Sequence, residues 1–227
     1  MSGKNWIVGL AALTVLVCAG VAEAGVYEQP LDTIDGKYSN RPYSAADNHQ
    51  VVADQFMLPT FGEISTVRWY GFYETEFDPG VSVDFTISFF ADNSGLPALD
   101  PTYDETVSAQ VLPNMGPSFL GTEIYEFEAA IPIMSVSAGQ TMWLSVAEAD
   151  LGTPPEFPTQ WLWSHSTVGE PGLAYRVSPE EAWNPDLGSL AFSLQYAIPE
   201  PSAFLTWGGL VGLGLIGGWR RRRRCGL

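Results

Sequence analysis

The sequence predicts an all-β domain, a two-sheet antiparallel β-sandwich of jelly-roll type, between an N-terminal signal peptide and a single C-terminal transmembrane helix. Three observations predict it. Between residues 26 and 197, short runs rich in Val, Ile, Phe, Tyr, Trp and Thr recur without a helical period. Turn-forming groups of Asp, Asn, Pro and Gly separate those runs. Apolar segments flank the middle at both ends, each with its own charge signature.

Residues 1–24 read as a signal peptide. Lys4 supplies a positive start, the stretch from Trp6 to Ala22 is apolar, and Ala22-Glu23-Ala24 is a small-residue cleavage site. Signal peptidase has shallow pockets for Ala22 and Ala24, so the mature chain is expected to begin at Gly25.

The middle, residues 25–198, is read as nine strands at 50–58, 64–73, 81–90, 106–112, 122–131, 141–149, 159–165, 172–177 and 189–197. In Val81-Ser82-Val83-Asp84-Phe85-Thr86-Ile87-Ser88-Phe89 apolar and polar residues alternate, which predicts one core face and one wet face. Asp78-Pro79-Gly80, Asp92-Asn93-Ser94-Gly95, Pro113-Asn114-Met115-Gly116 and Ala138-Gly139-Gln140 are the intervening turns. The three prolines of segment 150–158 mark a longer surface loop.

Charge excludes one class of partner. Residues 25–198 hold only Lys37, Arg41, Arg68 and Arg176 against 24 acids, 4 − 24 = −20. Such a surface repels phosphate backbones, so no nucleic acid is expected as a partner. Cys18 and Cys225 lie outside the middle segment, which therefore has neither an internal disulfide nor a thiolate zinc site.

The tail, residues 199–227, has three parts in order. Pro199-Glu200-Pro201 is an extended, helix-breaking stretch. Residues 203–219 are apolar, about 25 Å as a helix, and are read as a membrane span. Arg220, Arg221, Arg222, Arg223 and Arg224 follow, and the positive-inside rule keeps them cytoplasmic. The middle segment then faces outward, held at a membrane through the C-terminal helix.

Pro-Glu-Pro, a Gly/Leu-rich span and a terminal arginine cluster together resemble the PEP-CTERM sorting signal of Gram-negative bacteria. The resemblance implies that exosortase processes the tail near Pro199, Glu200 and Pro201, and that the arginines hold topology. It implies a precursor anchored in the inner membrane with a periplasmic domain, destined for the cell surface or an extracellular polysaccharide matrix. Ala53-Asp54-Gln55-Phe56, Val67-Arg68-Trp69-Tyr70-Gly71 and the run from Phe85 to Asp92 also resemble a β-sandwich module of other exported proteins carrying this signal. So does the order of the late Trp183, Asp186-Leu187 and the run from Leu190 to Leu194. That module has no settled activity to transfer.

For the middle segment the expected role is structural or carbohydrate-binding, not enzymatic. No Gly-x-Ser-x-Gly elbow and no His-Glu-x-x-His occurs, and His49 and His165 are read as structural or surface residues. Flat aromatic faces stack on sugar rings. Trp161 and Trp163, two apart on a strand, share one face and are the carbohydrate-binding candidates, with Trp69, Trp143 and Trp183 behind them. No cofactor is required, although Asp92 in its Asp-Asn-Ser-Gly turn, near Asp100, Asp104 and Glu105, is a candidate calcium ligand. The alternatives are a secreted polysaccharide hydrolase, which needs two carboxylates across a cleft, and a purely structural surface protein with no ligand.

Overall fold

The computed structural model describes residues 23–39, 50–112, 115–149, 160–169, 172–178 and 180–199. Among the described residues all regular structure is strand, with no helix. Ala24–Ala197 forms one compact unit.

In chain order the strands are β1 (Glu23–Gln29), β2 (Gly36–Tyr38), β3 (Val51–Met57), β4 (Gly62–Tyr73), β5 (Ser82–Ala91), β6 (Tyr103–Leu112) and β7 (Ile124–Val136). They continue as β8 (Thr141–Glu148), β9 (Trp161–Ser166), β10 (Leu173–Arg176), β11 (Asn184–Asp186), β12 (Ser189–Leu190) and β13 (Phe192–Ile198). Each of the nine predicted runs contains a strand. Three short strands, β1, β2 and β11, lie outside those runs. β11 contains Pro185, which a sheet tolerates at its edge, and β11 pairs only with β10.

Hydrogen bonding joins the strands into one network. Its main path runs β1-β13-β4-β7-β6-β5-β8-β3-β10-β11, with β9 branching from β4 and pairing β2 and β12. The registers are antiparallel, as in β4–β7, where Val67 faces Ala129 and Gly71 faces Tyr125. Rather than two disjoint sheets, the molecule has one antiparallel sheet that curls onto itself.

Ring contacts give the degree of curl. Trp69 on β4 and Phe85 on β5 are three strand spacings apart along the path, about 14 Å in a flat sheet. Their ring centroids are 5.1 Å apart. Phe56 on β3 and Phe192 on β13 are six spacings apart, about 29 Å if flat, yet their rings are 6.3 Å apart. Trp69, Phe85, Phe127 and Trp161 form one end of this interior, and Trp163, Phe192, Phe56 and Phe89 continue it. Burying that much aromatic surface is the main driving force for folding a domain without disulfides.

A second, smaller cluster of Ala53, Phe90, Trp143, Ala174 and Trp183 covers the outer face of β3, β5 and β8. This cover changes one sequence expectation. The polar face of β5 is not wet along its whole length, because Thr86 and Ser88 are buried. Their hydroxyls are satisfied by β6, Thr86 against Thr106 at 3.1 Å and Ser88 donating to Asp104 at 2.6 Å.

The turns at Asp78 and Asp92 behave as their residues predict, and Pro113 and Asn114 of a third lie outside the described residues. Asp78 accepts the backbone N–H of Gly80 at 2.9 Å, and Asp92 accepts that of Gly95 at 3.2 Å. Gly95 has φ +86°, a left-handed conformation that side chains rarely adopt.

Candidate functional site

The five described tryptophans are core residues, and this corrects the expectation of a sugar platform on Trp161 and Trp163. Both are fully buried. The two do share a face of β9, with ring centroids 6.3 Å apart, but the curled sheet covers that face. Trp161 packs edge-on against Phe85 at 5.0 Å, and the Trp163 indole N–H donates to the Ala191 carbonyl at 2.9 Å. Neither ring can stack on a ligand from solvent. Trp69, Trp143 and Trp183 are buried as well.

Asp92 is exposed, but its two oxygens serve the turn. One accepts the indole N–H of Trp143 at 3.0 Å and the other the N–H of Gly95. Asp104 is held by Ser88. Among the described residues no three His, Cys, Asp or Glu side chains come close enough together to hold a metal ion.

His165 is half-buried, and burial lowers its pKa, so the imidazole is neutral at pH 7. Its Nδ1 is 3.8 Å from Asp35, beyond hydrogen-bond reach. Its Nε2 is buried without a hydrogen-bond partner. That is not the geometry of a nucleophile–base–acid triad.

Of the sorting residues, Pro199 directly follows β13. Ala24 and Gly25 lie in β1, and Gly25 sits against the ring of Tyr196 on β13. Ala22, Glu200, Pro201, the arginines 220–224, His49 and the apolar span 203–219 lie outside the described residues. Among the described residues no helix is long and apolar enough to cross a membrane.

A site that the sequence reading did not single out lies where β4 leaves the sheet. The connection from β4 to β5 carries Glu76, Phe77 and Asp78, and the segment entering β7 carries Leu120, Thr122 and Glu123. With Tyr73 and Tyr125 they line a cavity of about 660 Å³, the size range of small-ligand pockets. Tyr73, 1% exposed, lies beneath it, and Phe77, 41% exposed, offers a ring to solvent. The two rings are 4.5 Å apart. Thr122 fixes the opposite wall by donating to the Tyr73 carbonyl at 2.8 Å.

The electrostatics of this cavity are one-sided. The Tyr125 hydroxyl lies 3.1 Å from both the Phe77 carbonyl and the Glu123 carboxylate, and donates to one at a time. Burial, that bond and the negative charges of Glu123, Asp78 and Glu76 push its pKa up to about 12. Lys37 is paired with Asp186, Arg68 with Glu126 and Glu128, and the Arg176 guanidinium lies over the Trp183 ring, 4.5 Å from its centroid. No described Lys, Arg or His lines the cavity.

A second cavity of about 480 Å³ shares Phe77 and is lined by Pro79, Ser82, Asp84 and Glu148. Burial raises Glu148 to about pKa 7, although the Tyr73 hydroxyl donates to it at 3.1 Å and opposes the rise. Glu148 thus holds its proton to higher pH than an ordinary carboxylic acid. The sequence signal for both cavities was the run Tyr73-Glu74-Thr75-Glu76-Phe77-Asp78, where rings and acids alternate without a base. On its own the run points to no site, because only the fold brings Glu123, Tyr125 and Glu148 to it.

Residues 197–224 match the family model of the PEP-CTERM protein-sorting motif. The chain therefore carries the signal for exosortase-dependent export to the cell surface from a membrane-anchored precursor. The match begins at Ala197, so it overlaps the last two residues of β13. No curated protein matches the chain.

Proposed function

We propose that this chain is an exported surface protein whose all-β domain, a jelly-roll-like fold with two facing halves of one sheet, binds glycans of an extracellular polysaccharide matrix. Signal peptidase removes residues 1–24, the span 203–219 holds the precursor in the inner membrane, and exosortase processes the tail near Pro199-Glu200-Pro201. The protein is the substrate of this machinery and not a catalyst, and it needs no cofactor. The observation that carries the reading is the sorting motif at 197–224, which overlaps the end of β13. The glycan part is supported by the cavity of Phe77 and Tyr125, where an exposed ring stands beside hydrogen-bonding carboxylates.

Intact mass of the protein recovered from envelope and medium tests it. A species from Gly25 to a residue between Pro199 and Ser202 is expected. A species ending at Leu227 in both fractions would mean a permanent anchor and no release.

Glu148 supports a second reading. A carboxylic acid poised near pH 7 in a cavity, with Asp84 on the same wall, has the protonation behaviour of a general acid in glycoside hydrolysis. Release of reducing ends from matrix polysaccharide, lost in Glu148→Gln, would establish hydrolase activity. Turnover that survives the substitution would exclude Glu148 as the acid.

A further inference from the structure

We propose that the cavity between Phe77 and Tyr125 selects an amine-bearing sugar, a hexosamine unit whose free amino group carries a positive charge. This rests on the glycan-binding reading and narrows it to one chemical class.

The first argument is charge. Glu76, Asp78 and Glu123 stand at the cavity wall, with Asp84 and Glu148 in the adjoining one, and no described cationic side chain lines either. The three described Lys and Arg residues, Lys37, Arg68 and Arg176, are all engaged elsewhere. A uronic or sulfated sugar entering here would be repelled by each carboxylate and offered no counter-charge. A neutral sugar would gain ring contact and hydrogen bonds but leave the carboxylates uncompensated. A protonated amine would compensate them.

The second argument is spacing. Among the described residues no three carboxylates converge to metal-binding distance. The negative charge is spread around a cavity of about 660 Å³. It suits a bulky organic cation better than a compact inorganic one, which needs six to eight oxygens within a few ångströms.

The third argument is the ring. Phe77 is 41% exposed, and the Tyr125 hydroxyl is held against Glu123. A sugar C–H face packs on Phe77, and an ammonium group near an aromatic face gains a cation–π attraction. Phe77 rests on Tyr73 with one face and leaves the other to solvent, while Tyr125 packs toward Phe127 of the main interior and keeps its hydroxyl at the cavity.

Isothermal titration of the full chain in detergent micelles tests this with four probes. They are a glucosamine tetramer, its fully N-acetylated counterpart, a galacturonic acid tetramer and a lysine tetrapeptide. The glucosamine tetramer is expected to bind best, about tenfold or more tighter than the acetylated form, with affinity falling as salt rises. Glu123→Gln should weaken it about fivefold with melting unchanged, and Phe77→Ala about tenfold with the circular dichroism spectrum unchanged and only a small fall in melting temperature from the lost Tyr73 contact. Equal binding of the acetylated tetramer would overturn the amine selectivity and leave the glycan reading standing. Equal binding of the lysine peptide would show a site that reads charge alone, which overturns the proposal. No binding of any sugar would overturn both readings.

Discussion

The carboxylate of Asp54 on β3 accepts the backbone N–H of Leu190 on β12 at 2.5 Å, joining residues 136 apart in sequence. Its other oxygen accepts the N–H of Gln55 at 2.8 Å. Asp54 is fully buried, so its carboxylate closes one side of the curled sheet. Asp54→Ala should cost about 2 kcal/mol, because the buried N–H of Leu190 loses its acceptor while that of Gln55 keeps the Gly172 carbonyl at 3.0 Å. Urea denaturation of the domain measures this, and a loss below about 1 kcal/mol would mean the sheet relaxes to re-pair Leu190.

Stability should fall as pH rises from acid toward neutral. Burial raises Asp54 well above the ordinary carboxylate range and Glu148 from 4.5 to about 7. A raised folded-state pKa means the native state holds the proton that the unfolded state has released. That stability is fully present below the unfolded value and lost as pH climbs through the folded one. For Glu148 the window runs from about pH 4.5 to 7 and is worth on the order of 3 kcal/mol. Glu148→Gln should flatten the melting temperature across that window, and an unchanged slope would place the titration elsewhere.

Trp161→Ala should destabilise by about 3–5 kcal/mol, as for any large buried ring. Phe77→Ala should cost less, about 1 kcal/mol, through the lost ring contact with Tyr73. The contrast separates core tryptophans from an exposed binding ring, and paired thermal melts read it. A stable Trp161 variant would contradict the burial of that ring.

Gly71→Ala should unsettle the junction of β4 and β9. A Cβ at Gly71 would lie 2.6 Å from the Leu162 carbonyl oxygen and equally close to the Trp161 indole, and the carbonyl is backbone that cannot swing away. The expected cost is about 1–3 kcal/mol. Amide hydrogen exchange should show faster exchange along β9 than along β5. Equal protection would mean that the strain is absorbed elsewhere.

Asp92→Ala should weaken the turn by about 1–2 kcal/mol through loss of its bonds to Trp143 and Gly95. Millimolar calcium should not alter the melting temperature of the natural chain, because both Asp92 oxygens are already engaged. A rise on adding calcium, absent in Asp92→Ala, would restore Asp92 as a ligand.

Local pattern alone located much of this molecule. Alternation in the run from Val81 to Phe89 placed Phe85, Ile87 and Phe89 on one face because a strand has a period of two residues. Asp-Pro-Gly and Asp-Asn-Ser-Gly marked turns because Asp bonds back to its own backbone and Gly accepts positive φ. The sorting tail was readable because its proline, apolar and arginine parts are contiguous in sequence. β1 was hidden by its overlap with the cleavage site, and β2 is only three residues long, too short to alternate.

Tertiary structure decided what period two cannot. Alternation states that Trp161 and Trp163 share a face, not whether that face is covered. Here it is covered because the sheet curls until Phe85, Phe192 and Trp69 meet in one interior. The same curl made Asp54 a buried acceptor for Leu190 and brought Glu123 and Tyr125 beside Phe77. Those residues come from separate strands and loops, and only the closing of one sheet onto itself sets the distances between them.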